Sequence, residues 1–226
     1  MKANVKAKRP SPKILEITEL MRLVGDVPRD RILLKPSIGA AREADVVHLR
    51  NSNEKLASEL IEGVLVAKPL SFKKSVLNSY LSFLIMDYLS EVSDNPGLVL
   101  FPCFPIRICR GRIRIPDAMY ISSDRLPIRG NPEILNIIPE LVIDFILSAH
   151  TVKEMDIKLR DYFDAGVRLV WYVDPKPETI AVYTSPDAKT TLTINDTLEG
   201  GDVLPGFSLP LKKLFRRIER RTKKKR

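Results

Sequence analysis

The sequence predicts an α/β or α+β domain built on a mixed central β-sheet flanked by helices. Three observations lead there. LVIDFIL at 141–147 is an almost unbroken apolar run, as a strand buried on both faces requires. TVKEMDIKLRDYFDAG, with helical spacing, and RLVWYVD, a second apolar strand, follow it directly and complete a strand–helix–strand unit. Upstream, IRIC and RIRIP flank Arg110-Gly111, a hairpin signal that adds antiparallel pairing to the same domain.

Taken in order, ILEITELMRLV at 14–24 has helical spacing and stops at Gly25, the residue type that closes helices in a left-handed conformation. After RDRILLKP, the patch EADVVHLRN is helix-like. SELIEGVLVAK at 58–68 reads as a helix or turn end, a glycine and a strand start. SFKKSVLNSYLSFLIMDYLSEV at 71–92 is the longest helical segment, with Phe72, Val76, Tyr80, Leu84 and Tyr88 recurring on one face, and Asn95-Pro96-Gly97 ends it. LVLFPCF opens the β-rich stretch. The helix after LVIDFIL spans 152–165, with Thr151 and Glu154 as a capping box, Gly166 beyond its end, and Met155, Leu159 and Tyr162 as its buried stripe. TIAVYTS and LTINDTLEGGDVLPGFSLPL supply short strands separated by glycine turns.

A chain of 226 residues, 44% hydrophobic, suits one domain over 14–215, with a helical extension over 14–57 and a core over 58–211. A basic N-terminal arm (1–13) and a basic tail (216–226) flank it. The formal charge of +9 is concentrated at these ends: 211–226 hold ten Lys/Arg and one Glu, and 1–13 hold five bases and no acid, so 14–210 is mildly acidic. Such ends either grip phosphate backbones or stay solvated. Lys212, Lys213, Arg216, Arg217, Arg220 and Arg221 are the candidate nucleic-acid contacts. Leu211, Leu214, Phe215 and Ile218 share one helical face, expected to pack on the domain, with an anionic membrane surface as the rival partner. No signal-peptide pattern and no membrane span is present, so a soluble, cytoplasmic protein is expected. With two cysteines, Cys103 and Cys109, and two histidines, His48 and His150, a disulfide framework and a His-rich metal site are excluded.

Two carboxylates break strand rules. Asp144 sits inside the apolar run, where an ionised carboxylate needs a partner or a metal. In IRIPDAMYIS at 113–122, Pro116 removes a ladder donor and Asp117 is a poor strand residue. Carboxylates on neighbouring strands can hold a divalent cation through hard oxygen ligands. Lys158 lies about 60° from Met155 around its helix, at the edge of the buried stripe, so its stem can follow apolar surface while the ammonium reaches a site. The alternative for Lys158 is an exposed pair with Glu154. Two acids and a lysine are the parts of metal-dependent phosphodiester cleavage, but such sets occur often by chance.

The ordered blocks ELIEG (59–63), RIPDAMYIS (114–122), LVIDFIL (141–147), EMDIKLRDYFDAGVRLVWYVDP (154–175) and EGGDVLPGFSLPL (199–211) resemble the Uma-two family of restriction endonucleases, in the PD-(D/E)XK nuclease superfamily. The resemblance covers about residues 14–215 and implies a restriction-endonuclease-like fold and an endonuclease acting on nucleic acid, chiefly DNA, with Mg²⁺ or Mn²⁺ as cofactor. By position it implies catalytic and metal-binding roles for Glu59, Asp117 and Asp144, a catalytic role for Lys158, and a metal contact from the Phe145 carbonyl. Glu62 is the rival to Glu59. Dimers are common in the superfamily, so a homodimer is an option. Two departures stand out. Asp144 is one methylene shorter than the family's usual glutamate, and Leu147-Ser148-Ala149-His150 replaces its small or polar loop. His150 is either a phosphate contact or a cap on nearby backbone. These departures support a second reading, a catalytically weakened nuclease-fold protein that binds nucleic acid.

Overall fold

The computed structural model describes residues 16–92, 96–102, 104–126 and 130–219, the side chains of 217–219 excepted. The N-terminal arm, Cys103, Ile218, Arg217, Arg220 and Arg221 therefore lie outside what is described of side chains. In chain order the elements are α1 (Ile17–Val24), β1 (Ile32–Leu33), α2 (Glu43–Asn51), β2 (Ser58–Ile61), β3 (Val64–Ala67), α3 (Phe72–Val92), β4 (Leu98–Leu100), β5 (Ile106–Cys109) and β6 (Arg112–Arg114). There follow β7 (Ala118–Ile121), β8 (Leu141–Phe145), α4 (Val152–Ala165), β9 (Leu169–Asp174), β10 (Thr179–Tyr183), β11 (Lys189–Leu192), β12 (Thr197–Glu199), β13 (Ser208–Pro210) and α5 (Leu211–Glu219).

The predicted mixed sheet is the six-stranded one, in the order β11-β10-β9-β8-β7-β4. Its central pair, β8 and β9, runs parallel, joined by α4 as the strand–helix–strand pattern requires, and its other pairs are antiparallel. A second sheet of five strands, β1-β3-β2-β6-β5, stands beside it. The strand expected to run through 113–122 is two strands, one in each sheet. Pro116-Asp117 is the corner between them: β6 ends at Arg114, β7 begins at Ala118, and the Asp117 N–H donates to the Ile143 carbonyl at 3.0 Å. The residues that weaken a strand thus mark where the chain changes sheets.

Alternation along β8 sorts its side chains. Leu141, Ile143 and Phe145 face a core shared with α3 and α5, while Val142 faces the core under α4 with Met155, Leu159 and Tyr162. Asp144, in phase with Val142, points the same way. The buried apolar residues of α3 are Leu77, Leu81, Leu84, Ile85 and Leu89, with Lys74, Asn78 and Ser82 buried beside them, and Phe72 is 82% exposed. Of the expected stripe, Leu84 is buried and Tyr80 and Tyr88 pack at the edge of the core while Phe72 is exposed, because apolar residues are spread around this helix and its spacing does not single out one buried face. Leu211, Leu214 and Phe215 are buried in the core, which removes them as a membrane-facing surface. Among the described residues no helix is long and apolar enough to cross a membrane.

SELIEGVLVAK is a hairpin, not a helix end. β2 and β3 pair through the two-residue turn Glu62-Gly63, with φ of 46° and 87°. Positive φ at both central residues is the turn geometry whose twist matches paired strands, and it favours glycine at the second. A Cβ on Gly63 would also stand 2.6 Å from the Gly39 backbone, whose N–H donates to the Gly63 carbonyl. Gly63→Ala is expected to lose about 1–3 kcal/mol of stability in urea unfolding; an unchanged midpoint would contradict this close approach.

Candidate active site

Helix α4 lies between the two sheets and carries two stripes. The apolar one, Met155, Leu159 and Tyr162, packs on the six-stranded sheet. The polar one, Glu154, Lys158 and Asp161, repeats at i, i+4 and i+7 and is buried as well. Each of its members meets an opposite charge. Arg31, just before β1, makes a two-pronged ion pair with Glu154, both contacts 2.7 Å. Arg114 on β6 reaches Asp161 through Nε at 2.7 Å and Glu59 through Nη1 at 2.8 Å. Lys158 Nζ lies 3.1 Å from Glu59 Oε1 and 3.0 Å from Asp144 Oδ2. The alternative pairing of Lys158 with Glu154 is not made, because Arg31 takes Glu154. The Thr151 cap holds, its Oγ1 accepting the Glu154 N–H at 3.0 Å, and for the same reason Glu154 does not reach back to complete the box.

All four of the sequence-derived groups come together. Asp117, Asp144 and Lys158 are each 1% exposed and Glu59 2%. Two further lysines, which the sequence reading missed, stand among them. Lys68, just past β3, places Nζ 2.9 Å from Asp117 Oδ1 and 3.0 Å from Asp144 Oδ1, which holds those two oxygens within about 6 Å of each other. Lys74 on α3 adds a 3.0 Å contact to the same Asp117 oxygen. Tyr162, foreseen only as core, donates its hydroxyl to Asp144 Oδ2 at 2.7 Å. The Phe145 N–H donates to Asp117 Oδ2 at 2.9 Å, and the Ile115 N–H to Glu59 Oε1 at 3.1 Å. All six oxygens of the three carboxylates are thus engaged by the protein.

The electrostatics follow from this. Burial pushes the Glu59 pKa up, but the charges of Lys158, Arg114 and Lys68 outweigh it and lower the value to about 2. Burial likewise opposes ionisation of Asp144 and Asp117. Lys158 and Lys68 hold Asp144 well below the usual range, and Lys68 and Lys74 lower Asp117. The Tyr162 phenol is raised well above its ordinary value by burial and by the Asp144 charge, so it remains a donor. Glu62 sits on the turn, its carboxylate largely exposed and paired with Arg112, so it is Glu59 that joins the cluster. His150 accepts the Leu147 N–H at Nδ1, 3.1 Å away, as a backbone cap does, and burial lowers its pKa to about 4. Trp171 is fully buried core. Lys212, Lys213 and Arg216 are exposed on α5.

Carboxylate oxygens are the donor type that hard divalent cations take, and Asp117 and Asp144 share one cation of the chain itself, the Lys68 ammonium. Among the described residues no three His, Cys, Asp or Glu side chains converge on a vacant point, because the carboxylates are drawn in pairs onto ammonium groups. Beside the cluster a cleft of about 510 Å³ is lined by Ser71, Lys73, Ile146, Leu147, Ser148, Asp174, Pro175 and Lys176. It opens at the carboxyl ends of β8 and β9, where open α/β sheets bind ligands.

The Uma2 family model, described as "Putative restriction endonuclease", matches residues 44–212 of this chain. Among solved structures, a "putative nuclease belonging to DUF820" from Anabaena variabilis ATCC 29413 superposes with a TM-score of 0.65 at 19% identity, over 74% of this chain and 94% of that one. No curated protein matches.

The buried charges generate a contrast. Arg114→Met leaves Glu59 and Asp161 buried without their shared partner and is expected to cost about 3–5 kcal/mol in urea unfolding. Lys153→Met, at the surface where it pairs with Asp26, is expected to cost under about 1 kcal/mol. Equal losses would contradict the network.

Proposed function

From its membership of the Uma2 restriction-endonuclease family, we propose that this protein hydrolyses phosphodiester bonds in nucleic acid, with DNA as the substrate and Mg²⁺ or Mn²⁺ as the cofactor. The observation that carries this reading is one buried, linked cluster of Glu59, Asp117, Asp144 and Lys158, brought together from four separate chain segments. Asp117 and Asp144 are the pair that would hold the metal, with Glu59 and the Phe145 carbonyl as further oxygen ligands. The metal, when bound, supplies a Lewis acid for the phosphate and a bound water of lowered pKa.

The chain's own groups carry the remaining tasks. Lys158 is held by Glu59 and Asp144, so its charge stays at the reacting phosphate to position the attacking water and meet the negative charge that builds up. Tyr162 fixes the orientation of the shorter Asp144 side chain through Oδ2. Lys73 and Lys176, on the adjoining cleft, give neighbouring phosphates a basic edge, and Lys212, Lys213 and Arg216 add affinity that does not depend on base sequence. His150 keeps its second role, a phosphate contact through the nitrogen its cap leaves over, as a secondary proposal.

A second reading has its own observation. The four site groups are buried, and every carboxylate oxygen among them is already engaged by Lys68, Lys74, Lys158, Arg114, Tyr162 or a backbone N–H, which favours a nuclease-fold protein that binds nucleic acid and cuts it weakly. Plasmid nicking with millimolar Mg²⁺ or Mn²⁺ separates the two. The nuclease reading predicts nicking that EDTA abolishes and that Asp117→Asn and Lys158→Ala, with folded circular-dichroism spectra, each reduce by at least about 100-fold. Nicking that survives both substitutions would overturn it, and salt-sensitive DNA binding without nicking would support the binder.

A further inference from the structure

We propose that Lys68 is a built-in cation occupying the seat of the divalent metal, so that ammonium and metal exclude each other between Asp117 and Asp144. This rests on the metal-site reading above and adds to it the chain's own competitor for the ion. One nitrogen bridges Asp117 Oδ1 and Asp144 Oδ1 at 2.9 and 3.0 Å, and it also donates to the Ile115 carbonyl. A divalent ion shared by those oxygens would lie between them, within the space the ammonium fills.

Charge balance makes the exclusion strict. The buried network contains Lys68, Lys74, Lys158 and Arg114 against Glu59, Asp117, Asp144 and Asp161, four charges of each sign, and the Arg112–Glu62 pair that joins it at Asp161 is itself balanced. A divalent ion added on top would leave an unbalanced double positive charge where the low dielectric makes it costly. Withdrawal of one ammonium removes half of that excess, and an incoming phosphate can neutralise the other half. Lys68 is suited to leave. Its backbone is tied by its N–H to the Ala57 carbonyl, 2.9 Å away, whereas its charge sits on a flexible four-carbon stem. Lys158 is less able to move, since its partner Glu59 is also pinned by Arg114 and by the Ile115 N–H.

In the same arrangement Lys68 is the attraction that offsets the repulsion of Asp117 and Asp144. The competition is read by titrating EDTA-stripped protein with Mn²⁺ in a calorimeter and by thermal melts with and without Mn²⁺. Lys68→Met keeps the stem and removes the charge. It is expected to bind Mn²⁺ at least about tenfold more tightly than wild type, to melt lower than wild type in EDTA, and to gain more from Mn²⁺. Mn²⁺ binding by the variant as weak as, or weaker than, that of wild type would overturn the inference. Should the variant not fold, wild type decides alone: a melting temperature nearly insensitive to Mn²⁺ supports the competition, and a large stabilisation saturating at about micromolar Mn²⁺ overturns it. Nicking separates the two ideas. Tighter Mn²⁺ binding without nicking by either protein leaves the competition intact and removes the nuclease reading, whereas nicking with no gain in Mn²⁺ affinity does the reverse.

Discussion

Helix α4 is held to the five-stranded sheet by charge. Glu154, Lys158 and Asp161 face Arg31, Glu59 and Arg114, and each contact is buried. Ion pairs in such surroundings are a poor way to gain stability, because desolvation costs about as much as attraction returns. They are a strict way to gain position, since any member moved out of register leaves an uncompensated charge. The rest of the site inherits that strictness. Lys158 is held between Asp144 and Glu59, and Arg114 ties that Glu59 to Asp161 on the same helix.

The corner at Pro116-Asp117 provides the other half of the arrangement. By turning the chain from one sheet to the other there, the fold sets the Asp117 carboxylate against the Phe145 N–H on β8, one residue from Asp144. The two sheets contribute Glu59 and Arg114 on one side and Asp144 on the other, and α4 closes the gap with Lys158 and Tyr162. A site assembled at a seam between layers can carry reactive charge that neither layer could bury alone. Its consequence is a closed, balanced cluster with a basic cleft beside it.

The sequence made one side of this site legible. Asp144 announced itself as a charge inside an apolar run, Asp117 as a residue no strand favours, and Lys158 as a cation on the edge of a buried stripe. Each is a local conflict between a residue and its setting, and such conflicts can be seen along the chain. The other side was not legible, because its residues conflict with nothing nearby. Lys68 reads as the polar end of a strand, Lys74 as an ordinary helix residue, and Arg114 as one member of an alternating Arg-Ile strand. Their partners are 43 to 76 residues away and are defined only by the packing of the sheets. Glu154 and Asp161, spaced with Lys158 on one helix face, were the signal that could have pointed to a charged interface. The hairpin at 58–67 was missed for a different reason: Glu62-Gly63 is a turn signal, but the short run before it has no periodicity to separate strand from helix.

The central claim is that Asp117 and Asp144 share a single cation seat, filled by either Lys68 or a metal. A crystal of the wild-type protein soaked in Mn²⁺ and measured at the manganese absorption edge tests it directly. The account predicts that any anomalous peak between the two carboxylates is accompanied by withdrawal of the Lys68 ammonium. A manganese ion bound to both carboxylates with that ammonium still within hydrogen-bonding distance of them would contradict it.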